Sequence, residues 1–159
     1  MIILHVEPKQ SPMSWDEFVS TKPKFSMALD GYVNTGPRKL LKNGPYINCN
    51  HHEEVDRTST RATCAQVLLL IRAKLFSTFR KNSEAHVEVY VNDCDEDVCT
   101  SVFLLKNHYL VSNTMNPQIN KLVHMEDMLD TTSGAYPYPI DLPSRRKLNW
   151  VFIHIVLLD

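Results

Sequence analysis

An α/β domain with a predominantly parallel sheet flanked by helices is the fold class this sequence predicts, on three observations. Short apolar, strand-like runs alternate with longer stretches of helical periodicity, Gly and Pro turn signals separate them, and several of the short runs end in Asp, Asn or His. At 159 residues the chain has the length of about one domain and can bury a real core. Residues 1–24 read as an irregular N-terminal lead-in, and 25–159 as the single α/β domain.

The elements follow in order. Pro8, Pro12 and Pro23, with Ser11 and Ser14, punctuate the lead-in and leave room for a short helical turn from Ser14. Phe25-Ser26-Met27-Ala28-Leu29 reads as a buried strand delivering Asp30 at its C-terminal end. Gly36-Pro37 and Asn43-Gly44-Pro45 are turn signals, and Tyr46-Ile47-Asn48-Cys49 is a second strand that terminates at Asn50-His51-His52. From Thr58 or Ser59 the positions Cys64, Val67, Leu68, Ile71, Leu75 and Phe79 recur at three-to-four-residue spacing, predicting a helix with Ser59 or Thr60 as N-cap. Val87, Val89 and Val91 alternate with Glu88 and Tyr90, so 85–92 is a strand, ending in Asp93-Cys94-Asp95-Glu96-Asp97. A second helix is expected through Val102, Leu105 and Tyr109, and a third over 122–129 before a loop at 134–143.

Composition excludes several function classes. Lys plus Arg is 17 against 18 for Asp plus Glu, a formal charge of −1, and no basic block offers itself to a polyanion. The start, Met1-Ile2-Ile3-Leu4, is interrupted by His5, Glu7 and Lys9 and is not an export signal. The apolar stretch 150–158 is far below the ~20 residues of a membrane helix, so a soluble, cytoplasmic protein with no membrane partner is expected. Four Cys, at 49, 64, 94 and 99, lie in strand-like or helix-like sequence and are expected as reduced thiols.

The chemistry is expected where open α/β sheets bind ligands, at the carboxyl ends of strands. Asp30, His51, His52, Asp93, Asp95 and Asp97 all fall there. So many carboxylates at one edge repel one another unless cations neutralise them. Carboxylates mixed with imidazole suit Mn²⁺, Fe²⁺ or Zn²⁺ better than Ca²⁺. Such a mixture fits a two-metal phosphoryl site.

Asn50-His51-His52 followed by Thr58-Ser59-Thr60-Arg61-Ala62-Thr63-Cys64-Ala65-Gln66-Val67 resembles the Asp-His-His signature of the DHH phosphoesterase superfamily with its Ser/Thr-rich helix start. Val89 to Ser101 resembles that superfamily's strand-Asp-x-Asp-helix motif, here Asp95 and Asp97. The two stretches cover about a fifth of the chain. The resemblance implies a DHH-like core and a metal-dependent phosphoesterase using a cation-activated water. It implies Asp30, His51, His52, Asp95 and Asp97 as metal ligands, with Asp127 or Asp130 supplying the last family carboxylate, and His52 and Asp97 in catalysis. Mn²⁺ is the expected cofactor, with Mg²⁺, Fe²⁺ or Zn²⁺ as substitutes, and a small phosphorylated molecule or phosphodiester the expected substrate. The sequence departs from the family at Asn50 for the first Asp and at Val91 for a His, and it places the Asp-x-Asp strand after the His pair. The family's second domain has no counterpart here, so either the chain is truncated at its C-terminus or substrate capture works differently.

Arg57 and Arg61 lie near the His pair and could clamp a phosphate, although Arg61 could equally pair with Glu53 or Glu54. Asp93 and Glu96 read as a solvated helix N-terminus, and Glu126 as the polar face of a helix. Two other functions compete. One is a structural zinc domain using Cys49, Cys94 and Cys99 with a His; the other is a non-catalytic module binding metal or a phosphorylated ligand, to which Asn50 lends weight. A homo-oligomer is compatible with all three.

Overall fold

The structure, a computed structural model, describes residues 1–8, 10–41, 44–52, 54–112 and 116–132. The elements are β1 (Ile2–Val6), α1 (Trp15–Thr21), β2 (Ser26–Leu29), β3 (Arg38–Leu40), β4 (Tyr46–Cys49), α2 (Thr63–Arg72), α3 (Leu75–Thr78), β5 (Arg80–Lys81), β6 (Glu84–Ala85), β7 (Val87–Val91), α4 (Glu96–Lys106), α5 (Tyr109–Ser112) and α6 (Pro117–Thr132). Five strands form one sheet in the order β1-β7-β2-β4-β3, parallel except for β3, which runs antiparallel to β4. The α/β class with a mostly parallel sheet flanked by helices is therefore as expected.

The connections move in opposite directions on opposite faces. From β1 the chain crosses to β2 beneath α1, and from β4 it returns to β7 by way of α2. That arrangement is the one that keeps parallel crossovers right-handed.

Strand parity assigns each residue to a layer. Met27, Leu29, Ile47, Cys49, Val87, Val89 and Val91 point into a core with α2 and α4, whereas Ala28, Tyr46 and Tyr90 point towards α1. The central strands are buried on both faces, which explains their continuous apolar character. Phe18 of α1 is fully buried with its ring edge-on to Tyr32, Tyr46 and Tyr90, at centroid distances of 6.1, 6.2 and 6.0 Å. An aromatic ring so placed contributes ~3–5 kcal/mol when compared with alanine.

Three sequence expectations are corrected. The lead-in is not irregular: its first residues form edge strand β1, and Ser14 caps α1 by accepting from the Glu17 amide at 3.2 Å. Lys22 fastens that helix to the sheet, bonding Glu7 at 3.0 Å and lying 4.5 Å over the Tyr90 ring. Second, α2 begins at Thr63, not near Ser59, and Ala62 provides no side-chain cap. The Thr58 and Ser59 hydroxyls turn instead on Asp56, whose carboxylate accepts from the Thr58 amide and hydroxyl at 2.9 and 2.7 Å. Third, the stretch to Phe79 is not one helix, because Lys74 adopts a left-handed conformation (φ 63°) that ends α2 and opens the short α3. The third helix, α6, is longer than the expected 122–129. The 134–143 loop and the apolar 150–158 stretch lie outside the described residues. No helix among those described is long and apolar enough to cross a membrane.

Candidate metal centre

The C-terminal edge of the sheet and the N-termini of α2 and α4 converge on a single cluster of Asp and His side chains. β2 delivers Asp30, whose amide continues the ladder by donating to the Cys49 carbonyl at 3.0 Å. Asp30 then turns left-handed (φ 51°), a conformation Asp tolerates better than most residues, and Gly31 follows at φ 82°. The turn swings the Asp30 carboxylate towards the end of the neighbouring strand.

That strand, β4, delivers Asn50, His51 and His52. Asn50 is fully buried: its amide nitrogen donates to the carbonyls of Val33 and Thr35 at 3.3 and 2.8 Å, and its oxygen accepts from the His52 amide at 2.8 Å. This side chain shapes the turn that presents both imidazoles, so the residue that departs from the family triplet has a structural task that requires an amide. The two rings meet edge-to-face at 4.6 Å. His51 is fully buried, and the His52 side chain is about one-third exposed at 32%.

Two ligand-capable sets share His51. In one, Asp30, His51 and His52 each place a donor atom within 4.8 Å of the others; in the second, His51, Asp97 and Asp130 do the same. His52 Nε2 lies 2.9 Å from Asp30 Oδ1, and His51 Nε2 touches Asp130 Oδ2. Both pairs are imidazole–carboxylate ion-pair contacts; beyond them, the His51 nitrogens, His52 Nε2 and Asp130 Oδ2 have no further hydrogen bond among the described residues. Buried polar atoms ordinarily find a partner, so converging lone pairs of this kind suit a cation. The centre could hold a metal ion.

Electrostatics point the same way. Burial, with Asp30 and Asp130 nearby, raises the Asp97 carboxyl against the lowering influence of the Cys64 bonds. Burial and Asp30 likewise push Asp95 up to about 6. Asp130 goes the other way: its burial is outweighed by His51, His52 and Arg57, and its pKa falls. Contact with Asp30 raises His52, opposed by burial and Arg57. Carboxylates that disfavour one another's ionisation form a field that a divalent cation relieves.

Not every expected ligand takes part. Asp95 caps α4, accepting from the Val98 amide at 2.9 Å, and belongs to neither set although it lies near the cluster. Asp127 is occupied elsewhere, accepting from the Ala62 amide at 2.8 Å and from Arg61 at 3.1 and 2.7 Å; Asp130, one turn on, is the α6 carboxylate in the cluster. Arg61 therefore pairs with Asp127, not with Glu54; Glu53 lies outside the described residues. Arg57 reaches the carbonyl and carboxylate of Asp130, each at 3.3 Å, so it stands at the rim of the cluster. Asp93 accepts from the Cys94 amide and joins no set.

The structural zinc arrangement is not formed. No ligand-capable set among the described residues contains a Cys; Cys49 and Cys64 sit in the main core, and Cys99 packs beside Met125. Burial pushes the Cys99 thiol up to about 11.

Glu126, read as a solvated helix face, is instead buried, with Oε2 unpartnered and its carboxyl pushed up to about 8 by burial, then by Asp97 and Glu96. The sequence held a signal for it: 119, 123, 126 and 130 follow helical spacing on one stripe, beginning with the buried Ile119 and Val123.

The fold and cluster define an α/β domain with an Asp/His centre capable of holding a cation. Comparison with protein-family models, curated proteins and solved structures gives no match.

Proposed function

We propose that the chain is a divalent-cation-dependent phosphoester hydrolase, a divergent relative of the DHH phosphoesterases with rearranged motif order. The observation that supports this reading is the sharing of buried His51 by two adjoining ligand-capable sets drawn from β2, β4, α4 and α6. The mixed carboxylate and imidazole donors favour Mn²⁺, with Fe²⁺, Zn²⁺ or Mg²⁺ as substitutes. Paired cations, when bound, supply a water of lowered pKa and neutralise charge on a phosphoryl group.

The chain's own residues would divide the remaining tasks. Asp30, His51, His52, Asp97 and Asp130 would offer the donor atoms for a cation, with buried His51 belonging to both sets. His52 is the exposed member of the pair, and so it faces an entering phosphate. Arg57 lies at the rim with a guanidinium suited to a phosphate oxygen, and its side chain is 42% exposed. Arg61 is held against Asp127 and takes no part in this scheme.

The test uses the full chain with p-nitrophenyl phosphate and bis(p-nitrophenyl) phosphate as a monoester and a diester. Cleavage of one of them is expected with Mn²⁺, and it should stop on chelation and in His51→Ala. A folded protein that cleaves neither ester with Mn²⁺, Mg²⁺, Fe²⁺ or Zn²⁺ would contradict the proposal.

A further inference from the structure

We infer that Thr63, the first residue of α2, is a positioning residue that couples the two ligand sets, supported one turn on by Gln66; this rests on the cation reading proposed above. Thr63 is fully buried. Its amide donates to Asp97 Oδ2 at 2.7 Å, and its hydroxyl lies 3.3 Å from Asp30 Oδ1. Asp97 belongs to one ligand set and Asp30 to the other. One residue therefore touches a carboxylate of each.

The hydroxyl also lies 3.3 Å from the Cys49 carbonyl, at the end of the strand that delivers His51. It carries a single proton, so it serves one of these two acceptors at a time. An ordinary helical threonine returns its hydroxyl to a carbonyl one turn back. Thr63 has no such helical carbonyl, since α2 starts there, and its hydroxyl is directed across to the ends of β2 and β4.

Gln66 completes the grip. Its Nε2 has two protons and two acceptors, the Asn50 carbonyl at 3.1 Å and the Arg61 carbonyl at 2.7 Å. Residues 63 and 66 share one side of the helix. Between them they hold the carbonyls of the two consecutive residues, Cys49 and Asn50, that precede the imidazoles. Displacing either contact would move the ligands relative to one another while removing none of them.

The experiment titrates Co²⁺, read by its visible absorption, and Mn²⁺ into the full chain. Thr63→Val, which keeps the shape and removes the hydroxyl, should weaken binding by about tenfold or more, the range found when hydrogen-bond partners of ligands are removed. It should also alter the Co²⁺ spectrum. Thr63→Ser should restore both the affinity and the spectrum, despite some loss of thermal stability. Gln66→Met should weaken binding in the same direction, and it decides the matter if Thr63→Val does not fold. Wild-type affinity and spectrum in a folded Thr63→Val, or in Gln66→Met, would overturn the inference. So would a Thr63→Ser protein as impaired as Thr63→Val, because packing would then be the cause. A wild-type chain that binds neither ion fails at the earlier step, removing the cation reading together with this inference.

Discussion

The carboxylate of Asp97 accepts the amides of Thr63 and Cys64, each at 2.7 Å, so a residue at the start of α4 caps the start of α2. Asp127 of α6 caps the preceding amide, that of Ala62. The amides of residues 62 to 64 are thus satisfied from other helices and are not available to a phosphate. Asp97→Ala should lower stability by about 2–4 kcal/mol, since it strands two amides, one in each of two buried residues. Urea unfolding without added metal measures this directly. An unchanged midpoint would show that α2 does not depend on Asp97.

Asn50 supports a sharper prediction. If it were a decayed ligand, Asn50→Asp would strengthen cation binding. The geometry requires the opposite, because the amide nitrogen donates to two carbonyls that a carboxylate would repel. Asn50→Asp should lose on the order of 3 kcal/mol or more, as unpaired buried charges do, and should gain no affinity for Mn²⁺. Tighter Mn²⁺ binding by a stably folded variant would refute this account of the turn.

These two residues show how far the sequence could be read. Strand ends at Asp30, Asn50-His51-His52 and Asp93 were legible, because buried parallel strands are short apolar runs and their polar ends stand out. The helix start at Thr63 was not, because its caps come from residues 97 and 127, beyond the reach of any local capping pattern. The choice between Asp127 and Asp130 failed for the same reason. Both lie on α6, and only the packed structure shows that Arg61 and Ala62 occupy the first. Asp95 and Asp97 share one motif yet have different tasks: Asp95 caps α4 and joins no ligand set, whereas Asp97 caps α2 and belongs to one.

The two α6 carboxylates should separate cleanly. Asp130→Asn should weaken Mn²⁺ binding, because it removes a charge from the cluster. Asp127→Asn should leave Mn²⁺ affinity close to wild type while costing about 1 kcal/mol of stability through the weakened cap and the exposed Arg61 pair. Titrating both variants side by side checks the assignment. Reversed results would return the ligand role to Asp127.

Glu126 gives the cation-free protein a pH dependence. Its carboxyl rises from the ordinary 4.5 to about 8, so the folded state holds a proton that the unfolded state has released. Stability from this group is full below about 4.5 and is lost as pH rises through about 8. Asp95, raised to about 6, adds a loss of the same sign at lower pH. Glu126→Gln should flatten the stability profile between pH 6 and 9 and exceed wild type at the alkaline end. Parallel profiles for the two proteins would contradict this picture of a neutral buried acid.

The most direct measurement is the number of Mn²⁺ ions bound per folded chain, in wild type and in His51→Ala. With His51 common to both sets, at least one ion should bind to wild type, and its binding should be lost or severely weakened in the variant. A wild-type chain that binds none, or a His51→Ala chain that binds Mn²⁺ as tightly as wild type, would contradict the account.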